Sequence, residues 1–185
     1  VYGGFETFVE ERSERLVKKN VRVKVYCQKN LFTTQPQKVN GIELIYLPTL
    51  PQKSLNQIVH SFLSIVHATF SKTDVILVVN LAAGPMGWIP KLTGKKSMIN
   101  VDGLEWLRPK WKGLGAKYFY YAAKIAVKLY DQIITDAEAM RSVYLKEFNT
   151  DSKVIAYGAP AFKPSPVDQA LLFPKDSYYL IVGRL

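Results

Sequence analysis

Apolar residues recur at helical spacing over residues 5–19. Phe5, Phe8, Val9, Leu16 and Val17 share one side, while Glu10, Glu11, Glu14, Arg15 and Lys18 take the others, which predicts a helix. Residues 21–26, Val-Arg-Val-Lys-Val-Tyr, alternate strictly and predict a strand. A loop with Pro36 and Asn40-Gly41 leads to a second strand over 42–47, stopped by Pro48 and Pro51. Ser54 and Gln57 have capping-box spacing and open a helix to about Phe70, with Leu55, Ile58, Val59, Phe62, Ile65 and Val66 on its buried side. The β-branched run over 74–79 predicts a strand covered on both faces.

Gly84, Pro85 and Gly87 then break the pattern before a short helix over 88–92. A buried strand over 97–101 follows, then the loop Asp102 to Trp106, a long helix over 114–130 and a strand over 132–135. Asp136 is expected to cap a helix over 137–148, which precedes a strand over 153–156. Helices alternating with buried strands predict an α/β fold: a Rossmann-like, open, mostly parallel sheet with helices on both faces. Such sheets bind ligands beyond the carboxyl ends of their strands, which directs attention to the loops at Gly3-Gly4, Asn80–Gly87, Asp102–Trp106, Thr135-Asp136 and Tyr157-Gly158.

Composition adds three constraints. The 185 residues are 48% hydrophobic and 22% charged, an ordinary globular balance that excludes general disorder. A single cysteine, Cys27, excludes an internal disulfide framework and a cysteine-based zinc site, and fits a reducing compartment. No stretch reaches the ~18–20 continuous apolar residues of a membrane-spanning helix. The start of the chain has neither the basic nor the apolar segment of a signal peptide.

Charge changes the picture more. Lysine and arginine outnumber aspartate and glutamate by 25 to 15, for a net +10, which favours anionic partners. Residues 86–130 carry seven of those ten charges, with nine basic residues against Asp102 and Glu105 alone. On the long helix, Lys117, Lys124 and Lys128 fall beside Tyr118, Tyr121 and Ile125. Lys95, Lys96, Lys110 and Lys112 lie just upstream of it in the chain, among Trp106 and Trp111. This mixture suits docking on an anionic membrane surface, and equally a solvated face over a core-packing helix.

The candidate chemistry sits in the loops. Gly3-Gly4 before a helix allows close approach of a phosphate to backbone N–H groups, or forms a tight turn. Asp102 ends a strand where a carboxylate can orient a hydroxyl or act as a base; a turn aspartate bonded to its own backbone is the competing reading. Glu105, Trp106 and Arg108 combine an acid, a ring and a guanidinium, a set suited to a sugar or to packing with a surface ion pair. His60 and His67 lie seven apart on one helix, not the three or four of helical metal pairs, and read as structural. No dinucleotide or P-loop glycine motif is present, which argues against an NAD-dependent enzyme. No zinc finger, helix-turn-helix or RNA-binding aromatic motif supports a nucleic-acid partner.

Three segments taken together, Tyr2-Gly3-Gly4-Phe5-Glu6-Thr7-Phe8-Val9-Glu10-Glu11, Asn100-Val101-Asp102-Gly103-Leu104-Glu105-Trp106 and Ile155-Ala156-Tyr157-Gly158-Ala159, resemble the N-terminal domain of rhamnosyltransferase-type enzymes of bacterial glycosyltransferase family 4. Tyr178 to Leu185 resembles the strand that opens their second domain. The resemblance implies the N-terminal half of a GT-B enzyme: an acceptor-side domain over 1–157, a linker over 158–177 and the start of a donor-binding domain over 178–185. It implies that the first, central strand precedes Tyr2, so that a gap in the sheet is expected here, and that the isolated fragment is inactive. It implies a retaining transfer of rhamnose or another hexose from a nucleotide sugar (dTDP-rhamnose or a UDP-sugar) to a lipid-linked saccharide, without metal or other cofactor, on the inner face of the cytoplasmic membrane. By position Asp102 is the catalytic candidate, Gly3 and Gly4 approach the donor diphosphate, and Glu6, Glu105, Trp106 and Arg108 fall to the acceptor. Asp102 stands where related members often carry a histidine. The competing expectation is a non-enzymatic basic module for an anionic membrane or nucleic acid.

Overall fold

The computed structural model describes residues 4–50, 53–101 and 103–158. Gly3, Asp102, the strand over 178–182 and all but the first residue of the expected linker lie outside these residues, as does the Ser54 side chain of the expected capping box. In chain order the elements are α1 (Gly4–Val17), β1 (Lys24–Gln28), β2 (Lys38–Val39), β3 (Ile42–Leu47), α2 (Lys53–Phe70), β4 (Val75–Val78), α3 (Trp88–Leu92), β5 (Lys96–Val101), α4 (Leu114–Leu129), β6 (Gln132–Thr135), α5 (Glu138–Phe148) and β7 (Lys153–Val154). The architecture is α/β and Rossmann-like, with a parallel sheet flanked by helices.

The strands do not form one sheet. β1 pairs in parallel with β3, and β2 runs antiparallel to β3. β4, β5, β6 and β7 form a separate four-stranded sheet, parallel throughout. This division leaves β1 and β4 each with one unpaired edge among the described residues.

The register aligns Val101 with Thr135 and Thr135 with Val154, so β5, β6 and β7 end at one level, while β4 ends two residues earlier, with Val78 beside Ile99. The main core lies against this sheet. Ile76, Val78, Ile99, Val101 and Ile133 meet Phe119, Ala122, Ala123 and Ala126 of α4. Alanines on that helix face allow a close approach. A 3-10 segment, Leu81–Gly87, enters the space, and its geometry explains two glycines. A Cβ on Gly84 would lie 2.6 Å from the Ala122 carbonyl oxygen, and one on Gly87 2.7 Å from the Tyr130 ring. Two tyrosines close the contact: Tyr118 Oη donates to the Ala82 carbonyl at 2.6 Å and Tyr130 Oη to that of Ala83 at 2.9 Å.

Several sequence expectations need correction. Gly84-Pro85-Gly87 reads as a break in the sequence but is a buried helical turn. The run over 74–79 reads as covered on both faces, yet Val75 and Leu77 are exposed: they alternate with the buried Ile76 and Val78, and their face of β4 is uncovered among the described residues. Asp136 does not cap α5: the cap residue is Ala137, without a side-chain bond. The strand expected over 21–26 starts at Lys24 instead. The loop at Asn40-Gly41 is the turn of a short hairpin, with φ of 49° and 85° at the two residues. Asn-Gly favours that left-handed backbone, so the hairpin signal was present in the sequence.

Candidate functional site

The parallel strands deliver their following loops to one edge, with Asn80, two residues past β4, in line with the end of β5. Asn80 turns the chain at once: its Oδ1 accepts from the Ala82 N–H at 2.7 Å and starts the 3-10 segment. After β5, Gly103 has a φ of 128°, and the Arg108 guanidinium occupies the space where a Cβ would sit. After β6 comes Asp136. After β7 the backbone continues with the Ile155 N–H bonded to the Thr135 carbonyl at 2.8 Å, towards Tyr157. The Phe8 ring of α1 meets the Tyr157 ring at 5.0 Å, which brings the first half of α1 to the same end of the molecule. The two glycine-bearing segments at Gly4 and Gly158 and the loop at Gly103 therefore belong to one edge.

Within this edge the sequence-derived residues divide. Glu105 is buried and committed internally. Its carboxylate accepts from Trp111 Nε1 at 2.6 Å and pairs with Arg108 Nη1 at 2.8 Å and Lys110 Nζ at 3.4 Å. Trp106 is packed edge-on against Tyr120, Tyr144 and Phe148 at 5.9–6.1 Å. Glu105 ties the 103–111 loop together, and Trp106 packs it onto α4 and α5. Glu6 is exposed on the first turns of α1, and Arg108 remains half-exposed. Asp102 and Gly3 are not among the described residues, and Gly4 is the first residue of α1.

Two buried polar groups at this edge are Asn100, part of the 100–106 segment singled out in the sequence, and Asp136, expected from the sequence as a helix cap. Asn100 of β5 is fully buried, and neither amide atom has a hydrogen-bond partner among the described residues. Because side chains alternate along a strand, it faces away from the α4 core that takes Ile99 and Val101. One carboxylate oxygen of Asp136 is likewise buried without a partner. Buried polar atoms without partners among the described residues also occur at His60, Ser64, Thr69 and Tyr144, so they do not by themselves single out this edge.

The other chemistry-bearing residues are used in the scaffold. His67 Nδ1 lies 3.0 Å from Tyr26 Oη and 3.1 Å from Ser71 Oγ. Burial lowers the pKa of His60, partly offset by the Cys27 backbone, and burial raises that of the Cys27 thiol. Among the described residues no group of three or more histidine, cysteine, aspartate or glutamate side chains is placed to hold a metal ion, and no helix is long and apolar enough to cross a membrane. A recess of about 340 Å³ lined by Lys91, Lys95, Lys96, Tyr130 and Asp131 lies at the opposite, amino end of the sheet.

A family profile matches residues 1–160, the entire described region, under the description "domain of unknown function (DUF1972)". The chain belongs to the DUF1972 family. Comparison with curated proteins gave no match. The DUF1972 region includes α1, the loop at 103–111 and the Tyr157-Gly158 segment, so every part of the edge described above lies inside it.

Proposed function

We propose that this DUF1972 chain is the acceptor-side domain of a retaining GT-B glycosyltransferase, transferring rhamnose or another hexose from a nucleotide sugar to a lipid-linked saccharide at the inner face of the cell membrane. The observation that carries the reading is the Phe8–Tyr157 contact, which joins the start of α1 to the carboxyl edge of a parallel sheet. Ligands of open parallel sheets bind at that edge, and a helix N-terminus there offers N–H groups and a positive dipole end to a phosphate. The family's association with glycosyltransferase-like proteins agrees with this.

In this reading the segment Gly3-Gly4 faces the donor diphosphate, and α1's dipole with nearby basic groups stabilises the leaving group without a metal. Asp102 orients the acceptor hydroxyl or takes its proton. Of the four acceptor-side candidates, Glu6 is exposed and Arg108 is half-exposed with its guanidinium paired to Glu105, whereas Glu105 and Trp106 are used in pairing and packing within the fold. The test is sugar transfer by this chain joined to a donor-binding domain, with a panel of nucleotide sugars and the Asp102→Ala variant. Transfer lost with thermal stability unchanged is expected. Unchanged turnover removes Asp102 from the mechanism, and no transfer with any donor removes the enzyme reading.

A second reading, a non-enzymatic basic module, draws on the lysine-bearing outer side of α4. It survives if anionic ligands bind while no donor is ever turned over.

A further inference from the structure

Helix α4 has two unlike sides. Phe119, Ala122, Ala123 and Ala126 are buried against the sheet and the 3-10 segment. On the outer side Lys117, Lys124 and Lys128 interleave with Leu114, Tyr121 and Ile125, all at helical spacing. Leu114 is 84% exposed and Tyr121 57%. At about 1.5 Å per residue the stripe runs roughly 20 Å.

The stripe continues onto α3. Lys91 Nζ donates to the Lys128 carbonyl at 3.1 Å, and Gly87 lies against Leu129 and Tyr130, so the two helices adjoin. α3 presents Trp88 at 50% exposure and Leu92 at 76%.

The charge on this surface is one-sided. Among the described residues of 86–130 the only carboxylate is Glu105, which is buried and already paired. Not every lysine of the region contributes equally. Lys95 is turned inward, donating to the Thr73 carbonyl at 2.9 Å and to that of Ser71. Lys96 pairs with Asp131, and Lys110 with Glu105. Lys117, Lys124 and Lys128 reach solvent, with Lys112 beside the start of α4.

We propose that α3 and the outer side of α4 form a docking surface for an anionic lipid bilayer, with α4 lying along the interface. The lysines extend to headgroup phosphates while Trp88, Leu92, Tyr121 and Ile125 enter the boundary between headgroups and acyl chains. The aliphatic members decide the occupant. A polynucleotide offers phosphates and stacking faces, but leaves Leu92, Leu114 and Ile125 in water; a bilayer takes both halves of the surface. This inference does not rest on the transferase reading, since binding requires no turnover.

The experiment is co-sedimentation of the full chain with vesicles of phosphatidylglycerol and phosphatidylcholine, against phosphatidylcholine alone. Binding to the anionic vesicles that weakens with salt is expected. The double variant Lys117→Gln, Lys124→Gln lowers partitioning about 30-fold. Lys18→Gln with Lys19→Gln, the same charge removed at the end of α1, lowers it far less. Brominated acyl chains quench tryptophan fluorescence in the native chain, and Trp88→Phe removes most of that quenching. Equal loss from the two lysine pairs, binding to neutral vesicles as tight as to anionic ones, no binding, or stronger binding to single-stranded DNA than to anionic vesicles overturns the proposal.

Discussion

The two sheets of this molecule are built to different standards. In the four-stranded sheet, Ile99, Asn100, Val101, Ile133, Ile134 and Thr135 are all buried, and the sheet carries most of the core. In the three-stranded sheet no residue of β1 is fully buried, and of the six residues of β3 only Ile42 is. Tyr26 is the one residue of β1 that reaches the main core among those described. The smaller sheet is tied to α2 by polar bonds, Tyr26 to His67 and Asn56 Nδ2 to Gln28 at 2.8 Å, while Asn40 to Glu14 at 2.8 Å joins its hairpin turn to α1. Apolar burial supplies most folding free energy, whereas a single partly exposed hydrogen bond contributes only about 0.5–1.5 kcal/mol. The larger sheet is therefore the stable unit, and the smaller one is the part that opens locally at least cost.

The sharpest way to break this comparison is to truncate one tyrosine in each unit. Tyr144 is fully buried among Trp106 and Phe148, and Tyr144→Ala is expected to cost about 3–5 kcal/mol. Tyr46 of β3 packs on Phe32 and bonds the Pro36 carbonyl at a half-buried site, and Tyr46→Ala is expected to cost about 1 kcal/mol. Denaturant unfolding measures both, and equal costs would remove the distinction between the units.

Overpacking tests the larger unit from the other direction. Gly84→Ala puts a methyl against the α4 backbone and is expected to cost about 1–3 kcal/mol by the same measurement. A neutral result would mean that the 3-10 segment is free to shift away from α4.

Acid sharpens the comparison with the smallest effects. His60, on α2 beside β1, has its pKa lowered by burial, so the unfolded chain binds that proton first. Stability at the α2–β1 contact is then full above the ordinary histidine value of about 6.5 and declines as pH falls through it. Asp131 at the larger sheet has its pKa lowered, first by the Ser97 N–H and then by Lys96. Its contribution is present above about 3.9, the ordinary aspartate value, and is lost only as pH falls below that. Hydrogen-exchange protection, corrected for the intrinsic rate at each pH, is expected to fall in β1 and β3 between pH 7 and 5 while that of β5 and β6 is kept. The reverse order would show that the smaller sheet is not the weaker unit.

Much of this organisation was legible in the residues. Strands at 42–47 and 132–135 and the helix at 88–92 match the structure within their bounds, because local periodicity and proline or glycine stops define them. The fold class followed from the alternation of helices with buried strands. The candidate site was legible only in outline. Loops after buried strands pointed to the right edge, yet nothing local distinguished an available Glu105 from one bound by Trp111 and Arg108. Asn100 sat in a run of apolar residues with no mark that its amide would lack a partner among the described residues.

What the sequence determined by itself was the order and type of the elements, the parallel α/β class and the concentration of positive charge in 86–130. These depend on near neighbours in the chain. What only the tertiary structure decided was the division into two sheets, the use of Gly84 and Gly87 as contact points for α4, and which lysines face solvent. Lys95 is claimed by carbonyls 22 and 24 residues away in sequence, and Lys96 by a carboxylate 35 away. Whether a charge is spent inside the molecule or offered to a partner depends on distance in space, which a single sequence does not contain.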